Sequence, residues 1–337
     1  MTHVATVQAI SAKSGRIHDR NCDEAMTCHS EPPCVVHAVI VAYRPRMAEL
    51  QALLHALRPQ VARLIVVDNT PRTDACWHDF DDVSVEPSLH CVRLGENVGI
   101  ARALNIGIAA ARQAGATHVL LSDQDSVPAP DMVRCQCAAL RELTSQGYRV
   151  GAVGATFMER NTGLMLPFQV EVAGNLFYGH KLPDADHPWV EVLTLITSGV
   201  IIPVAVLNVV GCMREDLFID NVDIEWSHRA RAHGFALFGV YGARMMHTMG
   251  DRALRVWYFG WRRESAYPAE RIYYRVRNFI VLCRLRYVSW PWKVRHAWTI
   301  AGVVYAHVVF GRQRAAAARA ALRGVVDGIL GRMRRWS

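Results

Sequence analysis

The sequence predicts an α/β protein with a mostly parallel sheet flanked by helices, the architecture of nucleotide-binding domains. Three observations lead there. From residue 35 to 121, apolar runs and amphipathic segments alternate in a β-α-β…β-α-β order. The runs are continuous, as expected of strands covered on both faces. One of them, residues 119–121, ends in Ser122-Asp123-Gln124-Asp125-Ser126. That places two carboxylates at the carboxyl end of a central strand, where open α/β sheets put their ligand crevice.

In order, a strand spans 35–43 and stops before Pro45. A helix over 47–57 carries Leu50, Leu53, Leu54 and Leu57 at helical spacing. The second strand, 63–67, ends at Asp68-Asn69 with a Pro71 turn behind it, and the third covers 90–94. A helix over 101–114 aligns Leu104, Ile108 and Ala111, and the fourth strand, 119–121, is stopped by Pro128 and Pro130. Past Gln146 the pattern is richer in strands (150–156, 171–177, 191–196 and 200–202). A helix from about 223 to 233 follows and ends at Gly234. Three regions are expected: a disordered leader over 1–34, a catalytic domain over 35–250, and a basic, aromatic, helical region over 251–337.

With 337 residues, 51% of them hydrophobic, the chain can bury a full core. Its net charge of +8 is unevenly spread: from Arg252 onward there are 18 Lys and Arg against 3 Asp and Glu, and before it 20 against 27. The basic end suits an anionic partner or a solvated helical face. Nine cysteines without a C-x-x-C pair read as reduced thiols of a cytosolic protein. His18, Cys22, Cys28, His29 and Cys34 match no usual zinc spacing. The first 34 residues have no apolar core of a signal peptide. The longest strongly apolar segment, 298–310, falls short of the ~18–20 residues that span a bilayer. The absence of G-x-G-x-x-G and G-x-x-x-x-G-K-[ST] argues against an NAD enzyme or a P-loop ATPase.

Four groups of residues carry chemistry. Asp123 and Asp125 suit Mg²⁺ or Mn²⁺ completed by substrate phosphate oxygens. Asp68 could bind a base or ribose, or close an Asx turn before Pro71. The segment from Glu96 to Gly107 opens a helix where Gly99 permits close approach of an anion and Arg102 sits one turn in; an ordinary cap by Asn97 is the alternative. Asp220, Asp223 and Glu225 flank a helix start, either serving its dipole or supplying a general base of raised proton affinity. His247 lies between apolar residues and a turn, as a core histidine, a metal ligand or a phosphate contact.

Taken in order, these segments resemble the inverting family 2 glycosyltransferases of the GT-A fold, and among them the bacterial rhamnosyltransferases. The resemblance runs from Val39-Ile40-Val41-Ala42-Tyr43 through Val67-Asp68-Asn69, Asn97-Val98-Gly99-Ile100-Ala101 and the Asp123–Asp125 run. It continues with Thr197-Ser198-Gly199, Leu217 to Trp226, the turn at His247, and Arg271-Ile272-Tyr273-Tyr274-Arg275-Val276-Arg277-Asn278. It implies a GT-A nucleotide-diphospho-sugar transferase fold with a basic C-terminal helical extension. Donor binding would fall to Tyr43, Asp68, Asn97, Gly99, Arg102 and Asp123. The metal, Mg²⁺ or Mn²⁺, would fall to Asp123, Asp125 and His247. Asp223 aligns with the catalytic base; Val222 stands where many members are acidic, and Glu225 or Asp220 is the candidate to compensate. Thr197, Ser198, Gly199 and Arg277 would border the acceptor and diphosphate. The resemblance further implies dTDP-L-rhamnose as donor and a lipid-linked acceptor (a rhamnolipid, O-antigen or exopolysaccharide intermediate), the alternative being a family 2 transferase of another sugar. Arginines interleaved with Trp257, Trp261, Trp290, Trp292 and Trp298 suit an anionic membrane surface, hence a peripheral place on the inner face of a bacterial inner membrane. An acidic crevice excludes nucleic acid as partner, and Ala42-Tyr43-Arg44-Pro45 lacks the Gly-rich basic loop of a sugar nucleotidyltransferase.

Overall fold

Residues 34–336, apart from 81–88, 160–164, 173, 183 and 248–252, are described by a computed structural model. The leader expected over 1–34 lies outside them, save Cys34. The first half follows the expected alternation: β1 (Val36–Ala42), α1 (Met47–Leu57), β2 (Arg63–Pro71), β3 (Leu89–Gly95), α2 (Ile100–Gln113) and β4 (His118–Asp123). There follow β5 (Ser126–Pro128), α3 (Met132–Ser145), β6 (Val150–Glu159), and the short strands β7 (Phe168–Val170), β8 (Gly179–Lys181) and β9 (Trp189–Glu191). Then come β10 (Val200–Pro203), α4 (Val204–Val210), α5 (Val222–Ala232) and β11 (Ala236–His247). The chain closes with a hairpin of β12 (Ala253–Trp257) and β13 (Trp261–Ser265), and with α6 (Ala269–Arg284), α7 (Trp290–Tyr305) and α8 (Arg314–Leu330).

The main sheet runs β3-β2-β1-β4-β10-β6-β11-β5, with β9 added on β11. Strands β3, β2, β1 and β4 are parallel. Strand β10 lies antiparallel between β4 and β6, while β6 and β11 are again parallel. Alternate residues of each strand enter opposite cores. Val39, Val41, Ile65 and Val67 meet Leu104 and Ile108 of α2 on one face, whereas Ala38, Ile40, Leu64 and Val66 meet Leu50 and Leu53 of α1 on the other. Helices on both faces are why these strands read as unbroken apolar runs.

Two expected strands do not form. Over 171–177 and 191–196 only β9's last residue is in a ladder, although Val192, Leu193 and Leu195 are buried in the first core. Backbone N–H groups there find other acceptors: that of Leu193 donates to the Gln169 carbonyl (2.7 Å) and that of Leu195 to Ser227 Oγ (3.1 Å). A satisfied backbone needs no ladder.

Helices α6 and α7 join the first core, and α8 packs on α6. Trp292 of α7 is fully buried in the first core, and Ile272, Tyr273, Tyr274 and Val276 of α6 form a third core with Phe218 and α8. Helices α6 and α8 approach so closely that a Cβ at Gly324 would sit 2.8 Å from the Tyr273 carbonyl oxygen. Among the described residues, no helix is long and apolar enough to cross a membrane.

Candidate active site

Three segments converge beyond the carboxyl end of β4. Asp123 is that strand's last residue, and Asp125 is exposed in the turn leading to β5. Asp223 lies in the first turn of α5. Between them passes the loop Thr197-Ser198-Gly199, which ties the two sides together. The Thr197 N–H donates to Asp223 Oδ2 (3.2 Å), and Ser198 Oγ accepts the Asp123 N–H (3.1 Å). Gly199 anchors the loop with a left-handed backbone (φ 69°): its N–H donates to the Leu121 carbonyl (2.8 Å), and its carbonyl accepts from Gln136 Nε2 (2.7 Å).

Burial, with neighbouring carboxylates adding to it, raises the proton affinity of Asp123 and Asp223. Burial, then Asp125, then Asp223 push Asp123 up to about 7, with Arg271 opposing. Asp223 is also raised, chiefly by burial; N–H donation from Ile224 (2.8 Å to Oδ1) and Thr197 pulls the other way. The sign for stability follows. A carboxyl whose folded value is raised stabilises the fold fully below its unfolded value near 4, and that stabilisation is lost as pH rises through about 7. In the absence of divalent cations, Asp123→Asn is therefore expected to melt higher than the parent at pH ~8, by about 2–4 °C for each kcal/mol of charge burial and repulsion relieved, with the gap closing toward pH ~4. Melting curves across that range check it; a variant less stable at pH ~8 would contradict the crowding.

Asp220 is held differently. Arg271 grips it with two bonds of 2.7 Å, Arg275 stands 3.5 Å away, and the carboxylate is only 8% exposed. The loop around it is strained, with Phe218, Asp220 and Asn221 all left-handed, at a cost of about 1–3 kcal/mol each. Asn278 holds it by donating Nδ2 to the carbonyls of Leu217, Ile219 and Asp220 (2.7–3.0 Å). Asp220 is thus a buttress before α5 rather than a free base. Arg271→Ala is expected to lower stability by about 2–3 kcal/mol, less than a fully buried pair, because the guanidinium is 36% exposed. Denaturant unfolding measures it; a loss under about 0.5 kcal/mol would mean the pair does not hold the loop. Glu225 is also committed: it is fully buried, gripped by Arg229 (2.9 and 3.0 Å) and receives the Tyr287 hydroxyl.

Several expected ligand contacts are occupied from within the protein. Asp68 is fully buried, accepting the Thr70 N–H (3.0 Å) and the Arg93 guanidinium (3.3 Å). Asn97 Oδ1 accepts from Asn69 Nδ2 and the Gly99 N–H, both at 3.0 Å, locking the loop before α2 to the end of β2. Gly99 is left-handed (φ 86°), and the group approaching it closely is Phe218: a Cβ would lie 2.5 Å from its ring and 2.7 Å from its carbonyl oxygen. The α2 N-terminus is therefore capped by protein, with the Ala101 N–H directed at that carbonyl (3.5 Å). Arg102 is exposed on α2. Arg277, expected near the diphosphate, is fully buried; it donates to the carbonyls of Asp216, Leu217 and Arg334 and to Asn278 Oδ1. Its role is to bind the strained loop to the C-terminus. Tyr43 sits at the crevice rim, where Gln124 pairs with both its N–H (2.7 Å) and its carbonyl (3.2 Å). Arg271 acts electrostatically on Asp123; its seven-residue spacing from Asn278 puts both on one face of α6.

The donor set fits a hard divalent cation. Asp123 and Asp125 offer carboxylate oxygens, and their mutual repulsion is what a cation would relieve. Among the described residues, no group of three or more His, Cys, Asp and Glu could hold a metal alone, so substrate oxygens would complete the shell. The β11 register sets the His247 backbone beside Ser126, but its side chain and the turn after it lie outside the described residues.

A model of the family Glycosyl transferase family 2 matches residues 38–181. The dTDP-rhamnosyl transferase RfbF of Shigella flexneri is 31% identical over 254 residues, covering 75% of this chain and 81% of that protein. Among solved structures, GalNAc-T7 with UDP, GalNAc and Mn²⁺ is similar at a TM-score of 0.55 and 12% identity. That match covers 88% of this chain and 56% of the other, so this chain spans little more than half its length, and the likeness is one of fold.

Proposed function

The chain belongs to glycosyl transferase family 2 and is a glycosyltransferase of the GT-A fold; we propose that it transfers L-rhamnose from dTDP-L-rhamnose, with inversion, to a hydroxyl of a lipid-linked acceptor. One observation supports the mechanism: neighbouring residues of the Thr197–Gly199 loop bond the Asp223 carboxylate and the Asp123 backbone, which brings the two carboxylates within electrostatic reach of each other. The rhamnosyl donor is supported by the 31% identity to RfbF.

Asp223 takes the proton of the attacking hydroxyl. Two N–H donors fix the carboxylate's orientation, and burial raises its proton affinity toward that of a useful base. Asp123 and Asp125 would hold Mg²⁺ or Mn²⁺, with His247 a further candidate ligand; bound there, the cation supplies Lewis-acid stabilisation of the leaving diphosphate. Arg271, whose charge acts on Asp123, is a candidate cation for that charge. Attack from the Asp223 side, opposite the leaving group, inverts the anomeric carbon in one step. Tyr43 and Arg102 border the donor, and Asp68, Asn97 and Gly99 shape its walls through the contacts described above. A lipid-linked acceptor would place the protein peripherally on the inner face of the membrane, served by the basic region after residue 251.

The test is transfer with purified protein, Mn²⁺ and extracted bacterial lipids, comparing dTDP-L-rhamnose with other sugar nucleotides by product mass. Rhamnosylated lipid is expected. Transfer of another sugar alone would keep the family and overturn the donor; a product only on water-soluble acceptors would overturn the lipid.

A further inference from the structure

Helix α8 is amphipathic with its sides reversed. Its small residues Ala317, Ala320, Ala321, Gly324 and Gly328 face the protein, where Gly324 and Gly328 touch the backbone and side chains of α6. Its large residues face away: Leu322, Val325, Val326, Ile329 and Leu330 recur at i, i+3, i+4, i+7 and i+8, with Leu322 66% and Ile329 61% exposed. The acid of this helix, Asp327, is buried against Tyr273 and Arg323, so it does not interrupt the stripe. Exposed arginines flank both ends: Arg312, Arg314 and Arg319 before the stripe, and Arg332, Arg334 and Arg335 after it.

A second apolar projection comes from the β12–β13 hairpin. Phe259 at its tip is 99% exposed, between half-exposed Trp257 and Trp261. It is braced on α7, with the Tyr258 hydroxyl donating to the Gly302 carbonyl (2.9 Å) and that of Tyr305 to the Trp257 carbonyl (3.3 Å).

We propose that α8 lies in the headgroup layer of an anionic bilayer, its Leu322–Leu330 stripe toward the acyl chains, with the hairpin tip as a second anchor. This deepens the reading of a lipid-linked acceptor and rests on it. Charge decides the occupant. Aliphatic residues bordered by arginines complement anionic headgroups over an apolar layer. A second copy docked on the same stripe would bring like-charged arginines together.

The experiment is co-sedimentation of the full chain with vesicles of phosphatidylglycerol and phosphatidylethanolamine, against phosphatidylcholine vesicles, at low and high salt. The comparison variant is Leu322→Glu with Ile329→Glu. The parent is expected to bind anionic vesicles in a salt-sensitive manner, and the variant at least ~10-fold more weakly. Melting temperature and its rise with dTDP should be unchanged, since neither residue touches the core or crevice. Equal binding by parent and variant would overturn the assignment to α8. Equal binding to neutral vesicles would overturn the electrostatic part. A parent dimer made monomeric by the double substitution would show that a second copy covers the stripe. Vesicle binding is read without any acceptor, so it can stand if rhamnosyl transfer fails, and fail if transfer stands.

Discussion

Asp223→Asn is expected to leave donor binding nearly unchanged and to lower turnover by about 10²–10⁴-fold. The amide keeps an oxygen for one of the two N–H donors, so the loop and helix start should survive. What is lost is a group that accepts the acceptor's proton. The pH profile gives a second readout. The base works ionised, and its affinity for protons is raised by burial, so the acid limb of kcat/KM should lie above the usual carboxylate range. In the variant that limb should vanish from the residual rate. Controls come from the neighbours: Glu225→Gln breaks a buried pair with Arg229, and Asp220→Asn loosens the grip of Arg271. Both should act on stability more than on turnover. If either, still folded, reduces turnover more than Asp223→Asn does, the base is another carboxylate.

How much of this could be read from residues differs between the two halves of the fold. Strands β1, β2 and β4 and helix α2 are legible because helices cover both faces, so the strand centres are apolar runs and α2 carries a regular apolar stripe. Segments 171–177 and 191–196 misled because apolar content records burial, and not whether a neighbour completes a ladder. In 191–196 the acceptors for Leu193 and Leu195 are a distant carbonyl and a serine hydroxyl. Strand β11 is not legible from its residues, because Gly239 and Gly242 interrupt the apolar run and the register shifts between Val240 and Arg244. The sheet's parallel half was anticipated, while the reversal at β10 depends on pairing that no local pattern encodes. In the site, strand-end position located Asp123 and Asp125, and the helix start located Asp223. Burial partners were not legible: Arg93 on Asp68, Phe218 over Gly99 and the carbonyls around Arg277 all come from far along the chain. Asp68, Gly99 and Arg277 each meet protein groups that the local sequence does not announce.

Asp125→Ala is expected to abolish transfer and the cation-dependent part of donor binding while the protein stays folded. Asp125 is exposed in a turn, so its removal leaves no cavity and breaks no buried pair. Its effect on Asp123 is repulsive, so the variant should be as stable as the parent or slightly more so without cation. The loss is therefore confined to chemistry. A cation stabilising the departing diphosphate contributes several kcal/mol, and each ~1.4 kcal/mol is tenfold in rate, so a fall of at least ~10²-fold follows. Thermal shift separates this from a folding defect. Mn²⁺ with dTDP should raise the parent's melting temperature and leave that of Asp125→Ala where dTDP alone puts it. Asp123→Asn shares the loss of activity but should melt higher at neutral pH without cation, so the two carboxylates are distinguishable though they serve one site. Activity of Asp125→Ala within a few-fold of the parent would place the cation elsewhere. The crowding around Asp123 would then need Arg271 as its compensation during turnover, and Arg271→Ala would become the decisive variant.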